Sequence, residues 1–215
     1  MATPKRAGLP SFWSTTIAKV LAGDMPCLLS PWHRGHYNWP KRPQAPSMAL
    51  WKAKHTDLLQ QTHAAYRAEG WRCQLESFFK VEGGTAVVSG KADLICQQKD
   101  KRPLIVDVKT GDPRESDVIQ VLLEMVMIPL AWGSPSMQFA GRVIYAPPLP
   151  AVDLTPAQAT EMAPRIFAML KKLGTMPQPE PSPGEHTCQF CEIPDGDCDA
   201  RWKANGAPVA TSMEF

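Results

Sequence analysis

Two aspartates and a lysine in the segment 90–111 have the types and the spacing of a site that could hold a divalent cation. Because side chains alternate faces along a strand, Asp107 and Lys109 point the same way while their apolar neighbours point into a core. The polar segment 100–103 ends in proline and predicts a hairpin loop, which would bring Asp93 beside Asp107. Two carboxylates and an ammonium at the end of one hairpin can bind a hard cation and place a water against a phosphate.

The pair Asp107 and Lys109 also has an ordinary interpretation as part of a solvated strand face, because most charged side chains lie on the protein surface. In this chain Asp107 lies inside the aliphatic run 104–108. Burying an unpaired carboxylate costs free energy, so an acid in such a run needs a cation beside it. The run therefore favours a buried ionic site over a surface pair.

Together with its flanking residues, the segment resembles the core of the PD-(D/E)xK nucleases. The resemblance is carried by Gly90, Asp93, Asp107, Lys109, Thr110, Gly111 and, on a predicted helix, Gln120. Within these nucleases the chain is most similar to the RecB-like exonucleases with an iron-sulfur cluster, in particular the CRISPR-associated RecB-like nucleases, over most of residues 11–200. The resemblance implies an α/β fold with a restriction-endonuclease-like core, in which helices flank a mixed central sheet.

The resemblance also implies roles for individual residues. The implied catalytic residues are Asp93, Asp107, Lys109 and Gln120, and the implied ligands of one or two Mg2+ or Mn2+ ions are His55, Asp93, Asp107 and the backbone carbonyl of Val108. Lys109 would orient the attacking water. One position departs from the pattern, because Glu124 stands where the family usually has a tyrosine. The missing tyrosine concerns substrate contact more than metal chemistry.

The helix predicted over 47–69 must position His55. Its expected inward stripe comprises Trp51, His55, Leu58, Thr62 and Tyr66. A histidine on an apolar face is more often a satisfied core residue than a ligand, and only the resemblance favours metal binding by His55. Other helices are predicted from Ser11 to Gly23, from Arg114 to about Ile128, with Gln120 and Glu124 on its polar stripe, and from Thr155 to Gly174, with a break or kink at Pro164.

Strands are predicted on both sides of the hairpin segment. The first covers 71–81, with Glu76 on one face and with Trp71, Cys73, Leu75, Phe79 and Val81 on the other. Glu76 is interpreted either as a peripheral acid of the site or as a surface residue. A later strand is predicted over 137–146, and the proline-rich segment from 175 onward predicts little regular structure.

The cysteines predict a second metal centre. Cys188, Cys191 and Cys198 lie in a segment with too few apolar residues to fold by burial. Their spacing fits zinc closed by His186, or a [4Fe-4S] cluster closed by the distant Cys27, and spacing alone leaves both open. The resemblance favours the cluster, since its iron-sulfur members have one early and three late cysteines. Cys73 and Cys96 are interpreted as core thiols.

Composition limits the class of protein. The chain of 215 residues with 44% hydrophobic content suits one core with appendages, predicted as an N-terminal segment 1–46, a nuclease core 47–174 and a C-terminal segment 175–215. No run is long enough to span a membrane and no signal peptide is evident, so a reducing cytoplasm is expected, with the six cysteines as metal ligands or free thiols.

DNA is the expected partner although the net charge is only +2. Residues 1–54 hold eight Lys or Arg against one acid, which suits either a phosphate-binding surface or a solvated one. The aromatic segment 32–39 suits stacking on a single strand or, as the favoured interpretation, core packing. The resemblance implies a metal-dependent deoxyribonuclease, an exonuclease on single strands or DNA ends, with CRISPR integrase or recombination proteins as further partners. The alternatives are a catalytically weak DNA-binding or assembly subunit and a zinc-stabilised metal-dependent enzyme that acts on something other than DNA.

Overall fold

The computed structural model describes residues 4–38, 46–189, 191, 193 and 197–202, without the side chains of 46–48, 186 and 189. Its strands are β1 (Ser11–Trp13), β2 (Arg72–Glu82), β3 (Val87–Gln97), β4 (Leu104–Lys109), β5 (Ala140–Tyr145) and β6 (Val152–Leu154). Its helices are α1 (Ser14–Ala22), α2 (Leu29–His36), α3 (Pro46–Ala68), α4 (Glu115–Ala131), α5 (Pro156–Thr175) and α6 (Glu185–Gln189). None of these helices is both long and apolar enough to cross a membrane.

One mixed sheet contains all six strands, in the order β1-β3-β4-β5-β6 with β2 on the other edge of β3. β3 pairs in parallel with β1 at residues 87–89 and antiparallel with β4 at residues 94–96. β2 runs antiparallel along the whole of β3. β1 and β4 therefore pair with different parts of the same edge of β3, and residues 90–93 lie between those two parts. The predicted α/β fold with a mixed sheet flanked by helices is confirmed.

Hydrophobic cores lie on both faces of the sheet. The larger core joins α1, α4 and α5 to one face and includes Ile17, Ile105, Val121, Val143 and Ile166. The smaller core joins α3 to the other face and includes Leu59, Tyr66, Leu94, Val106 and Val108. Ile105 and Val106 belong to opposite cores, as the alternation along β4 requires.

β2 and β3 exchange their faces half-way along their length. Cys73 and Leu75 pack in the smaller core, whereas Phe79 packs in the larger one. Glu76, between them, has a left-handed φ of 50°, which breaks the alternation. The prediction that residues 71–81 place one apolar set on a single face is therefore wrong. The exchange matters for the site because the facing residue of β3, between Ala92 and Leu94, is Asp93.

Several helix predictions need correction. Ser11 does not cap a helix, because Ser11–Trp13 pairs with β3 and α1 begins at Ser14. On α3, Thr62 and Tyr66 are buried as predicted, but Trp51 is 50% exposed because the smaller core ends before it. α5 continues through Pro164, because its apolar face is held in the larger core. A short helix, α6, forms in the segment that was expected to lack regular structure.

A disulfide joins β2 to β3. Cys73 and Cys96 are direct partners in the antiparallel pair, with their Cα atoms 4.0 Å apart, and their sulfurs are bonded. The interpretation of these two residues as free core thiols is therefore wrong. It treated each cysteine alone, whereas the register of the hairpin brings the two side chains together.

The N-terminal segment packs against the end of α5. Trp32 Nε1 donates to the carbonyl of Met176 at 3.1 Å, and His36 Nε2 donates to the carbonyl of Leu173 at 3.0 Å. Trp32 also stacks on His36, with ring centroids 4.3 Å apart. The favoured interpretation of the aromatic segment as packing therefore agrees with the structure for Trp32, while Trp39 lies outside the described residues.

Candidate active site

The candidate site lies where β3 and β4 separate. Their last paired residues are Leu94 and Val106, and the next residue on each strand is an aspartate, Asp93 or Asp107. Lys109 is at the end of β4. The predicted hairpin therefore brings both acids to the open end of a strand pair, between α3 on one face and α4 on the other.

Asp93 is held by groups from β4 and α3. Its Oδ2 accepts a hydrogen bond of 2.9 Å from the backbone N–H of Val108 and lies 3.3 Å from His55 Nε2. The hydrogen bond to Asp93 raises the pKa of His55, outweighing the opposing effect of burial. The structure thus brings His55 to the carboxylate as predicted. The carbonyl of Val108 as a metal ligand stays a prediction.

Asp107 and Lys109 form a buried ion pair. Asp107 is only 1% exposed, and burial raises the pKa of its carboxyl to about 7. Its Oδ2 lies 2.7 Å from Lys109 Nζ, yet this oxygen accepts no hydrogen bond of acceptable geometry. Burial works against the charge of Lys109, but attraction to Asp107 outweighs it and leaves the pKa of the lysine raised. The ammonium is therefore kept charged beside an acid that lacks full pairing.

Gln120 connects the members of the site. Its Nε2 donates to Asp107 Oδ1 at 2.9 Å and to Glu124 Oε1 at 3.2 Å, while its Oε1 accepts from Lys109 Nζ at 3.1 Å. This set of partners fixes the orientation of the amide, because the opposite orientation would turn its oxygen toward two carboxylates. Gln120 thus holds Lys109 and Asp107 in one arrangement.

Glu124 is a third acid beneath the site. It is 0% exposed, its Oε2 has no hydrogen-bond partner, and burial, followed by repulsion from Asp107, raises its pKa well above the ordinary value. The sequence pattern predicts Gln120 and Glu124 on the polar side of their helix, away from the sheet. That placement is wrong, since both are buried. The signal was available: two polar residues one turn apart in the otherwise apolar stretch 118–131 of the helix.

Tyr145 is a neighbour of the site that the sequence analysis missed. It lies opposite Lys109 in the parallel pair of β4 and β5, and its hydroxyl donates to Asp117 Oδ2 at 3.3 Å. Burial raises the pKa of Tyr145 to about 12, so it remains a neutral donor at neutral pH. Only the register between β4 and β5, which the sequence does not show, reveals this position. Glu76, in contrast, pairs with Lys91 at 2.5 Å on the surface.

The residues at this site suit a hard cation that brings its own waters. Among the described residues, no set of three or more His, Cys, Asp or Glu side chains is arranged to hold a metal ion by itself. Mg2+ does not need such a cage, because it is commonly bound through one or two carboxylates together with waters and substrate phosphates. The incompletely paired Asp107 Oδ2 is the observation that fits a cation here.

The four remaining cysteines come from both ends of the described chain. Cys27 Sγ accepts a hydrogen bond from the backbone N–H of Ser182 at 3.4 Å, and Cys188 Sγ accepts one from Trp202 at 3.3 Å. Cys27, Cys191 and Cys198 pack on the same core, and all four thiols are free. Burial, and then the proximity of Cys191 and Cys27, raises the pKa of Cys198. Among the described residues these thiols do not form a set arranged to hold a metal ion, and the predicted cluster stays a prediction.

Comparison with solved structures gives several similarities, which include the following two. The chain resembles the crystal structure of SSO0001 with a TM-score of 0.48 and 14% identity, over 92% of this chain and 90% of that chain. It resembles the crystal structure of LHK-Exo in complex with dAMP with a TM-score of 0.45 and 14% identity, over 75% of this chain and 87% of that chain. No protein-family model and no curated protein matches the sequence.

Proposed function

We propose that the protein is a divalent-metal-dependent deoxyribonuclease of the PD-(D/E)xK type, which hydrolyses phosphodiester bonds. One observation carries the proposal: Asp93 and Asp107 meet, with Lys109, at the point where two paired strands separate. Two acids and an ammonium form a polar centre at a place that the fold could have filled with apolar side chains. Such a centre suits reaction at a phosphate better than it suits stability.

The metal ligands in this proposal are Asp93, Asp107, His55 and the carbonyl of Val108, and the ion is Mg2+ or Mn2+. When bound, the ion would polarise the phosphoryl oxygens and lower the pKa of a bound water. The incompletely paired Oδ2 of Asp107 supports this assignment, because a cation there would offset the cost of burying the carboxylate.

The protein's own residues would position the water and offset developing charge. Lys109 is charged, is aimed into the site by Gln120, and would orient the attacking water and stabilise the phosphate oxygens during in-line attack. Gln120 would act by holding Lys109 and Asp107 together. Asp93, fixed by the N–H of Val108, would keep its second oxygen for the cation.

The substrate in this proposal is DNA, as a single strand or an end, attacked as by an exonuclease. CRISPR spacer acquisition, recombination or repair are the settings that the sequence resemblance suggests, with an integrase or recombination protein as partner. We further assign Cys27, Cys188, Cys191 and Cys198 as ligands of a [4Fe-4S] cluster, in which the two backbone N–H groups directed at sulfur would stabilise thiolates. Iron and sulfide analysis of anaerobically purified protein tests this assignment, and stoichiometric zinc would replace it.

The experiment that tests the proposed function is cleavage of end-labelled single-stranded and duplex DNA with Mg2+ or Mn2+. The wild type should release label, and EDTA should stop it. Lys109→Ala should lower the rate by at least about 100-fold, the usual effect of removing a group that stabilises charge or moves a proton. Lys171→Ala, at an exposed lysine on α5, is the matched control and should cleave like the wild type.

Intact DNA in every reaction with the wild type, together with firm DNA binding by the folded protein, would reject the nuclease. It would favour a DNA-binding or assembly subunit instead. The specific observation behind that second candidate is Glu124, a buried acid without a full set of partners in the position where the resembling nucleases have a tyrosine.

A further inference from the structure

An exposed strip of the sheet extends from the candidate site along β3. In the parallel pair of β1 and β3, Trp13 lies opposite Ser89, and in the antiparallel pair of β2 and β3, Phe78 lies opposite Lys91. Directly opposed residues, and residues two apart on one strand, share a face of the sheet. Trp13, Phe78, Ser89 and Lys91 therefore form one surface, here called the aromatic strip.

The opposite face of the same strands is fully used by the larger core. Phe12, Phe79, Val88 and Ala92 are buried there. On the strip side, in the part of the chain that the structure describes, α3 packs its core residues against the other half of the sheet, around Leu94 and Val106. The strip is thus the half of that face beyond the smaller core.

Two large rings on the strip are exposed and lie together. Trp13 is 43% exposed and Phe78 is 61% exposed, and their ring centroids are 6.3 Å apart at an interplanar angle of 37°. Aromatic rings in a hydrophobic core are shielded from water, whereas the rings of Trp13 and Phe78 keep much of their surface exposed to solvent. Exposed rings in a row are the elements on which the bases of a single strand stack.

A basic cavity continues the strip beyond Trp13. It has a volume of about 240 Å³ and is lined by Arg6, Arg34, Trp13, Ser11, Thr16 and Ser89. Arg6 is held in place because its Nη2 donates to the carbonyl of Arg34 and its backbone N–H donates to that of His36. Two guanidinium groups beside small hydroxyl side chains suit a phosphate group.

The distances along β3 connect these features to the site. Lys91 lies two residues from Asp93 and Ser89 lies four residues away, which at the rise of a strand is about 7 Å and about 13 Å. Moving away from Asp93, a ligand would meet Phe78, then Trp13, then the cavity with Arg6. This order, with bases on the rings and a phosphate in the cavity, matches an extended single strand.

We infer that the aromatic strip and the cavity bind a single strand of DNA next to its scissile phosphate, with unpaired bases on Phe78 and Trp13 and a backbone phosphate at Arg6 and Arg34. The inference rests on the proposed function for its choice of ligand. The DNA strand would follow the aromatic strip to the cavity. The bases next to the cleaved bond would then contribute to the binding affinity.

The test measures binding of a fluorescein-labelled oligothymidylate to the full chain in the Lys109→Ala background, by fluorescence anisotropy. Phe78→Ala and Trp13→Ala should each weaken binding by roughly 5- to 150-fold, the range measured for loss of one base-aromatic stack. Arg6→Ala should reduce the slope of log affinity against log salt by about 0.7, as expected for one lost phosphate contact. Phe167→Ala removes a ring on α5 that is 46% exposed, close to the exposure of Trp13, and should bind like the parent.

An abasic version of the same strand separates stacking from general damage. The parent should bind the abasic strand more weakly, by about the factor that the ring substitutions cause, while the double variant of Phe78 and Trp13 should bind both strands alike. Thermal melting of each variant checks folding. Equal affinity of the parent for the two strands, or losses that are as large on duplex DNA, would overturn the inference.

The outcome is independent of the cleavage assay. If the wild type does not cleave but the ring variants lose single-strand binding, the nuclease fails and the strip stands. If the wild type cleaves while Phe78→Ala and Trp13→Ala bind within about twofold of the parent, well below one stacking contact, the strip fails and the nuclease stands.

Discussion

Asp107 illustrates how the candidate site is placed at the expense of stability. A carboxylate with a pKa raised to about 7 by burial is destabilising in its charged form, and Lys109 offsets this only in part. The fold tolerates the acid because Gln120 donates a hydrogen bond to Oδ1 and Lys109 lies beside Oδ2. The contact between Lys109 and Oδ2 is poorly aligned for a hydrogen bond. A bound cation would provide the remaining stabilisation.

Asp107→Asn is expected to destabilise the protein in EDTA, because it leaves the charge of the largely buried Lys109 without its partner. A decrease on the order of 3 to 5 kcal/mol in the free energy of unfolding is expected. In the wild type, Mg2+ or Mn2+ should raise the melting temperature, and the variant should lose much of that shift. Differential scanning fluorimetry with and without metal measures both effects. An Asn variant at least as stable as the wild type in EDTA would contradict this view.

Gly90 and Gly111 resemble each other in the sequence motif but differ in the structure. A Cβ on Gly90 would lie 2.4 Å from Ser14 Oγ and 2.5 Å from the Phe79 ring, both buried, whereas a Cβ on Gly111 would meet nothing within 4 Å. Gly90 is thus required by packing. The space at Gly111 is open, beside Thr110 and Lys109.

Gly90→Ala should accordingly destabilise the protein by about 1 to 3 kcal/mol, the usual cost of overpacking a core. Gly111→Ala should leave stability within about 0.5 kcal/mol, as for a surface substitution. Urea unfolding of the two variants compares them directly. Similar losses in both would mean that packing does not distinguish the two positions.

At the scale of single residues, the sequence predicts Asp93, Asp107, Lys109, His55 and Gln120 as neighbours, and the structure brings them together. Strand alternation and the hairpin loop are sufficient for the acids. Glu124 and Tyr145 were not predicted as members of the site, because their positions depend on how far α4 is buried and on the register of β5. Neither quantity is local to the sequence.

Among the elements, the hairpin of β2 and β3 carries most of the differences from expectation. The local prediction of alternating faces is correct within each half, but Glu76 reverses it in the middle. A non-glycine residue with positive φ is uncommon, so nothing in the sequence marked that reversal. The same reversal gives the sheet one buried half under α3 and one exposed half with Phe78.

The disulfide between Cys73 and Cys96 should stabilise this hairpin. Closing the loop between the two cysteines is expected to contribute about 3 kcal/mol on the chain-entropy model. Urea unfolding in the presence of a phosphine reductant should therefore show a lower midpoint than without it. The double variant Cys73→Ala and Cys96→Ala is the control, and its midpoint should not respond to the reductant. An unchanged wild-type midpoint, with free thiols confirmed by labelling, would show that the bond contributes no stability.

For the whole molecule, the two ends of the described chain meet beside the larger core. Trp32 and His36 contact the end of α5, and Cys27 contacts Ser182. The sequence predicted this meeting only through its cysteines and the family resemblance. Composition did not, since a net charge of +2 conceals a basic N-terminal segment and an acidic C-terminal one.

Cys27→Ser is expected to release the C-terminal segment if the four cysteines share a cluster. Iron content should fall, and limited proteolysis should cut between residue 177 and residue 200 at a higher rate, while α5 stays protected by its core. Cys96→Ala is a suitable comparison, because its sulfur belongs to the hairpin and should leave iron content unchanged. Full iron content in Cys27→Ser would remove Cys27 from the ligand set.

The separation of β3 from β4 has a consequence for engineering the chain. Asp93 and Asp107 keep their places through the pairing of residues 94–96 with residues 104–106, which lie between the acids and the hairpin loop. The loop around Asp100 and Lys101 is exposed at the far end of that pairing. Since lengthening a surface loop adds little closure entropy, a peptide tag or a dye-binding sequence inserted there should leave the acids in register. The loop is therefore a rational attachment point for a label that leaves the candidate site intact.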